Sequence, residues 1–432
     1  MMTQYGVGSY DSLAVCNDNS TYNYFHRPGV GSSSNTWIIY FDGGHWCTDQ
    51  YSCNVRYGSN PGLMSSRNQP KTLLHNYGIT SPAQSNNPYW WGANHVYMPY
   101  CTSDVFRGGS YCTMMQLFFE VSLLARFLQT RITSTWQFRG KRSVAATIKA
   151  LLATQNLKAA TDILLVGSSA GGPGITGSAG EIYQQLLAAG ANPTRFKLFS
   201  DGGWFIDLPE FNGGTGATYQ SDAKALMSYT KATFDSQCML NYPDAAWKCM
   251  LPQYNWPFLP APLINHEYLY DLGNLAEDNA QPQDYETFRS LMTQTFNLSG
   301  NSVQTANLTK SANATAFSLL SSRTTAVTAN KPQPYNATTF PGGVGGAIGY
   351  KPTIANQLAS PLNIFAEACL LHTTVDSPLF VASDVNGVNF NDALWQWFQY
   401  DQFLVQEIDG YAGQRSQASC SQPPAMLTLA GR

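Results

Sequence analysis

Ile163-Leu164-Leu165-Val166 runs directly into Gly167-Ser168-Ser169-Ala170-Gly171-Gly172-Pro173-Gly174. Four residues of buried type in succession read as a strand of a sheet covered on both faces. The glycine-framed serine that follows, ahead of a segment able to be helical, has the strand–tight turn–helix setting of a nucleophile elbow. Flanking glycines let the chain turn through backbone angles that side chains disfavour. Such a turn lifts the Ser169 oxygen above the sheet edge at a helix N-terminus. Partial positive charge there favours the alkoxide-like oxygen of an attack. An ordinary strand-to-helix turn is the competing reading. The apolar run before the glycine weighs against it, so a serine hydrolase is the leading expectation.

Working outward, Trp37-Ile38-Ile39-Tyr40-Phe41 reads as a second buried strand ending in Asp42-Gly43-Gly44-His45-Trp46-Cys47. A double glycine there offers unshielded backbone N–H groups, as an oxyanion hole requires, although a plain glycine turn has the same appearance. Further strands are expected at His95–Met98, at Phe196–Phe199 before Ser200-Asp201-Gly202-Gly203-Trp204-Phe205, and at Leu362–Phe365. Helices are expected at Ser143–Leu152 and, for packing, at Ala393–Val405. Alternating helices and short apolar strands predict an α/β chain of α/β-hydrolase-like architecture. The expected form is a central, mostly parallel sheet with helices on both faces and long loop insertions, as a single domain over residues 1–432. Residues 1–36 are turn-rich, and 276–350 are polar and poorly periodic, which suggests excursions from the core. Between Tyr111 and Trp136, Met114, Leu117, Phe118, Val121, Leu124 and Leu128 recur at helical spacing. A lid over an apolar site, a core-packed helix and a gene-model error all fit that segment.

The bulk numbers narrow the class. Apolar residues make up 44% and charged residues 12% of the 432, with a net charge of −3, so the surface relies on neutral polar residues. No basic footprint marks a nucleic-acid partner. No stretch is apolar enough for a membrane span. Nine cysteines and five acceptor sequons, beginning at Asn19, Asn297, Asn307, Asn313 and Asn336, point to a secreted, extracellular glycoprotein. Met1–Tyr10 lacks the pattern of a targeting peptide, which implies a removed leader or a misassigned start. A monomer is expected.

In an α/β-hydrolase the order is serine, acid, histidine. Of six histidines only His266 and His372 follow Ser169. His372 leaves room for an intervening acid and lies just past a strand, whereas His266 reads as a satisfied structural histidine. Asp271, after the strand-like Pro262–Tyr270 segment, is the favoured acid. Asp278, Asp376 and Glu267 remain competitors, with Asp376 very near His372 in what reads as a turn. The acid's task is to fix the imidazole tautomer and to stabilise the imidazolium.

Taken together, the ordered blocks are similar to those of the pectin acetylesterases and Notum-type carboxylesterases. Asp42-Gly-Gly-His-Trp-Cys47 with Cys53 resembles the family's Gly-Gly-Trp-x-Cys block. Val96-Tyr-Met-Pro-Tyr-Cys-Thr-Ser-Asp104 resembles its Pro-Tyr-Cys segment, and Trp136-Gln-Phe-Arg-Gly140 its aromatic step before a helix. Gly167-Ser-Ser-Ala-Gly-Gly172 matches the nucleophile block, and Asp201-Gly-Gly-Trp-Phe205 the segment after the next strand. Tyr270-Asp271 and Cys369-Leu-Leu-His372 complete the series. The resemblance spans about residues 12–380. It implies Ser169 as nucleophile, Asp271 as acid, His372 as base, and an oxyanion hole from the N–H groups of Gly44, His45 and Ala170. It also implies hydrolysis of an ester, an O-acetyl on a polysaccharide such as pectin or, in the Notum branch, a fatty acyl on a protein. No metal or organic cofactor enters such chemistry. His45 departs from the family's usual Trp or Gly, and the 111–136 spacer is longer than usual. Tyr89, Trp90, Trp91 and Trp204 are candidates for stacking on sugar rings, although buried aromatics are commoner.

The resemblance suggests Cys16 paired with Cys101. Cys47 and Cys53 are close enough to close a small loop. Cys238 with Cys249, and Cys369 with Cys420, follow from proximity and remainder. Cys112 is then odd.

Overall fold

Trp37 to Phe41 are all buried because helices cover both sides of the strand that carries them. The computed structural model describes residues 1–109, 136–211, 218–298, 362–400, 404–411, 413–415 and 420. In chain order the strands are β1 (Met2–Gly6), β2 (Asn23–Arg27), β3 (Thr36–Phe41), β4 (Thr72–Leu73), β5 (Asn94–Met98), β6 (Asp162–Ser168), β7 (Arg195–Asp201), β8 (Leu263–Tyr268) and β9 (Asn363–Glu367). They are followed by a small ribbon of β10 (Asp384–Val385) with β11 (Val388–Asn389), and by β12 (Gln406–Ile408). Apart from the ribbon they form one ten-stranded sheet in the order β12-β9-β8-β7-β6-β3-β5-β2-β1-β4. From β12 to β5 every neighbouring pair is parallel. β2, β1 and β4 extend the sheet as antiparallel neighbours.

Alternation along each strand divides the core in two. Trp37, Ile39 and Phe41 of β3 and Ile163 and Leu165 of β6 face one layer. There they meet Val144, Ile148 and Leu151 of the helix Gly140–Thr154 and Ile175, Ala179, Ile182 and Leu186 of the helix Gly171–Ala188. Ile38, Tyr40, Leu164 and Val166 face the other. There they join Phe199, Ile264 and Phe365 and the helix Phe390–Gln399 through Phe390, Leu394, Trp397 and Phe398. The fold is thus α/β-hydrolase-like, with helices on both faces of a mostly parallel sheet.

Two expectations are corrected. The turn-rich first 36 residues contain β1 and β2, whose short polar-laced sequences show little alternation. Within the span expected to leave the core, Tyr285–Leu298 is a helix that buries Phe288, Leu291, Met292 and Phe296. Their spacing is that of one helical face, diluted by the polar residues around it. Residues 299–350 of that span, residues 110–135 of the long spacer and Cys112 lie outside the described residues, as do the sequons beginning at Asn307, Asn313 and Asn336.

Disulfides join Cys16–Cys101, Cys47–Cys53, Cys238–Cys249 and Cys369–Cys420. These are the pairings expected from the sequence. Among the described residues no helix is long and apolar enough to cross a membrane.

Candidate active site

The C-terminal ends of β3, β6, β7, β8 and β9 lie side by side along one edge of the sheet, where open α/β sheets present their sites. Ser169 follows β6 with φ of 50°, a left-handed conformation that a non-glycine residue adopts only when its surroundings impose it. Those surroundings are visible. The Ser169 N–H donates to the Asp201 carbonyl at 2.8 Å, and the Gly172 N–H donates to the Ser169 carbonyl at 2.8 Å. Gly167 has no room for a side chain, since a Cβ would stand 2.2 Å from the Gly171 carbonyl oxygen. The turn delivers the serine to the N-terminus of the helix Gly171–Ala188, with Ala170 as its first flanking residue.

Asp271 follows β8 and caps the helix Leu272–Glu277. Its Oδ1 accepts from the Asn274 backbone N–H at 2.7 Å and from Asn274 Nδ2 at 3.0 Å. Its Oδ2 lies 2.7 Å from His372 Nδ1. His372, on the loop after β9 that the Cys369–Cys420 bridge tethers, places Nε2 2.8 Å from Ser169 Oγ. A carboxylate can only accept, so Nδ1 carries the hydrogen. Nε2 is then left to accept from the serine hydroxyl. Ser169, Asp271 and His372 thus meet in one continuous hydrogen-bonded line, although 203 residues separate the serine and the histidine.

The loop after β3 closes the site from the other side. Asp42 accepts from the Gly43 N–H at 2.9 Å and from the Tyr97 hydroxyl at 2.6 Å. Gly43 packs so tightly on the elbow that a Cβ there would stand 2.9 Å from Ser169 Cβ. Gly44 and His45 follow with φ of 136° and 56°. The amides of Gly44, His45 and Ala170 donate to no group among the described residues. Ala170 directly follows Ser169, and the Gly43 contact brings the loop that carries Gly44 and His45 against the elbow.

Residues 6–330 match the sequence model of the pectinacetylesterase family. The chain belongs to the pectinacetylesterase family. Ser169 and Asp271 fall inside the matched residues, and His372 lies beyond them. The chain is 28% identical over 276 residues to human palmitoleoyl-protein carboxylesterase NOTUM, an alignment covering 62% of this chain and 51% of that protein. It is 29% identical over 266 residues to the Drosophila melanogaster enzyme of that name, covering 61% and 37%. A Danio rerio relative described as inactive palmitoleoyl-protein carboxylesterase notum1b is 40% identical over 100 residues, covering 23% of this chain and 70% of that protein. The chain spans about half the length of the human relative and less of the Drosophila one. The crystal structure of the Drosophila Wnt deacylase Notum superposes with a TM-score of 0.72, covering 98% of this chain and 99% of that one at 21% identity. That likeness bears on the fold. Family membership supports an esterase or deacylase.

The competing acids of this family member have other places. Asp376 sits on an exposed turn. Asp278 is fully buried, one residue past the helix that Asp271 caps. Glu267 is fully buried, accepts from the Trp204 N–H at 2.9 Å and is hydrogen-bonded to Asp271. Burial and the charge of Asp271 hold its carboxyl well above the usual range. Trp90 and Trp204 are fully buried in the core and have no face for a sugar, whereas Trp91 is exposed.

His45 does more than carry an amide. Its Nδ1 donates to the Trp46 carbonyl at 3.0 Å, and its Nε2 lies 3.4 Å from Glu277 Oε2. Trp46 Nε1 donates to Asp222 Oδ2 at 2.8 Å. His45, Asp222 and Glu277 bring one ligand-type atom each within 4.8 Å of one another. They clasp the loop after β3 to the helix that Asp271 caps.

Burial lowers the basicity of His372, but the charge of Asp271, the hydrogen bond to it and the charge of Asp201 outweigh burial and raise its pKa above 6.5. A base must be neutral to work. The acid limb of kcat/KM for p-nitrophenyl acetate is therefore expected above pH 6.5, with activity lost as pH falls through it. A pH–rate profile checks this.

Gly273 is a site residue that sequence reasoning missed. A Cβ there would stand 2.7 Å from His372 Cε1 and 3.0 Å from Nδ1. Gly273→Ala is expected to tilt the imidazole and lower kcat roughly tenfold to a hundredfold, because small misplacements of reacting groups are expensive. Steady-state kinetics alongside thermal melting check this, with KM and melting expected near wild type.

Proposed function

We propose that the chain is a secreted serine carboxylesterase that removes ester-linked acyl groups, with O-acetyl groups of a polysaccharide such as pectin as its substrate class. The reading is carried by one observation, the unbroken line from Asp271 Oδ2 through His372 to Ser169 Oγ with contacts of 2.7 and 2.8 Å. His372 takes the serine proton as Oγ bonds to the ester carbon. The N–H groups of Gly44, His45 and Ala170 hold the oxyanion. The ester C–O bond breaks, and the sugar hydroxyl leaves with the proton from His372. Water, deprotonated by the same imidazole, then attacks the acyl-enzyme and releases the acid, restoring Ser169. The pectinacetylesterase family match supports the acetyl substrate. Four disulfides support an oxidising, extracellular destination.

A second reading, removal of a long acyl chain, is favoured by the relatives described as palmitoleoyl-protein carboxylesterases. One relative is described as inactive; the intact hydrogen-bonded line here argues for activity. A fluorophosphonate probe followed by peptide mass spectrometry tests the chemistry, and label on Ser169 is expected. No label would reject a serine esterase. Relative kcat/KM on p-nitrophenyl acetate, butyrate, octanoate and palmitate then separates the substrates. Preference for acetate supports the first reading, and preference for palmitate the second.

A further inference from the structure

The ends of β7, β8 and β9 hold a second charged assembly that the ester chemistry does not touch. Asp201 and His266 are wholly buried and Glu367 nearly so. Asp201 Oδ1 lies 2.7 Å from His266 Nδ1, and Glu367 Oε2 faces His266 Nε2 at 3.7 Å. The rings of Tyr268, Phe365 and Phe390 enclose the imidazole. Burial alone would lower its basicity, but the hydrogen bond to Asp201 and the influence of Glu367 push its pKa up to about 9. His266 is therefore an imidazolium at neutral pH, with Asp201 as its hydrogen-bonded counter-ion.

The other Asp201 oxygen does something different. Oδ2 accepts the Thr374 N–H at 2.7 Å and the Val375 N–H at 2.8 Å, two and three residues past His372. The Asp201 carbonyl meanwhile accepts the Ser169 N–H at 2.8 Å. The next residue, Gly202, presses on the same loop; a Cβ there would stand 2.2 Å from the His372 carbonyl oxygen. One residue thus touches the turn that carries the serine and the loop that carries the histidine. Its own carboxylate is oriented from behind by a buried cation.

We propose that Asp201, held in place by His266, is a positioning residue that keeps the His372 loop in register with Ser169. The proposal rests on the reading of Ser169 and His372 as nucleophile and base. Two carboxylates act on the His372 ring, Asp271 by direct contact and Asp201 through space, and Glu267 stands behind Asp271. Asp201 therefore sets geometry and also adds to the basicity of the imidazole.

Asp201→Asn tests this, because Asn has one acceptor oxygen for the two sets of donors that Asp201 now serves, the Thr374 and Val375 amides and His266 Nδ1, and it loses the charge. A fall in kcat of about 10- to 100-fold with KM little changed is expected. The acid limb of kcat/KM should also move to lower pH, by about half a unit. His266→Gln keeps a donor to Asp201 but removes the positive charge, so its acid limb should move the opposite way. Rates are expressed per active site titrated with fluorophosphonate, so partial unfolding does not hide the shift. A role in stability alone would lower the melting temperature and the titrated fraction and leave the limb where it was. An unmoved limb in both variants, or an unchanged kcat in Asp201→Asn, would overturn the proposal. Failure of the parent reading is distinguishable, since the wild-type protein would then not be labelled on Ser169.

Discussion

Ser169→Ala is expected to lower kcat on p-nitrophenyl acetate by about a millionfold, the scale seen when a nucleophile of this kind is removed. The small residual rate comes from donors that survive the change. The proposed oxyanion donors, the N–H groups of Gly44, His45 and Ala170, are backbone groups that the substitution leaves in place, and such donors alone accelerate ester hydrolysis appreciably over water. The substitution is also structurally quiet. The Ser169 side chain makes one hydrogen bond, to His372 Nε2, whereas the strained turn is held by main-chain bonds to Asp201 and Gly172. Melting should therefore stay close to wild type, and the loss should appear in kcat. The neighbouring Ser168 supplies the control. It belongs to β6 and is buried under the elbow, so Ser168→Ala should retain most of the activity. Steady-state kinetics on both variants check the pair. Activity surviving in Ser169→Ala and vanishing in Ser168→Ala would move the nucleophile by one residue.

What could be read from the sequence was whatever short-range order dictates. Ile163–Val166 and Trp37–Phe41 are buried on both faces and so are apolar at every position, a signal that needs no partner to be recognised. The turn after β6 is equally local, because Gly167 admits no Cβ beside the Gly171 carbonyl. The base emerged by elimination among few histidines, and Asp271 was one of several carboxylates until the resemblance singled it out. What stayed hidden depends on distance along the chain. Asp201 meets Thr374 and Val375 across more than 170 residues, and nothing near Asp201 in sequence announces that bond. His266 was read as structural from its place in the order, but its charge was illegible. An imidazole takes its basicity from what surrounds it, here Asp201 and Glu367 from neighbouring strands. β1 and β2 were missed for a related reason, because their pairing residues alternate weakly and their strand character comes from their neighbours, β5 beside β2 and β2 in turn beside β1. Gly273 was invisible as a site residue because its significance lies in the space that His372 occupies.

Asp271→Asn is expected to lower kcat by about 10⁴-fold with the fold intact. The fold survives because Asn is as good a helix cap as Asp. Its single oxygen can stay on the Asn274 amide, which Asp271 Oδ1 now holds at 2.7 Å. The amide nitrogen then takes the place of Oδ2 and points a hydrogen at His372 Nδ1. That nitrogen must become an acceptor, so the ring proton moves to Nε2 and faces Ser169, where a lone pair is needed. The imidazole is left in the tautomer that cannot take the serine proton, and its imidazolium has lost its counter-charge. Glu267 responds in a way that can be observed separately. Its pKa is raised by burial and then by the charge of Asp271. Removing that charge takes away one of those causes and should let Glu267 ionise at lower pH. Kinetics per titrated site, with melting curves, check the first effect. A kcat within tenfold of wild type would show that Asp271 does not orient the base. Side-chain carboxyl titration by NMR on Asp271→Asn checks the second, with the Glu267 resonance expected to titrate at lower pH than in the wild type.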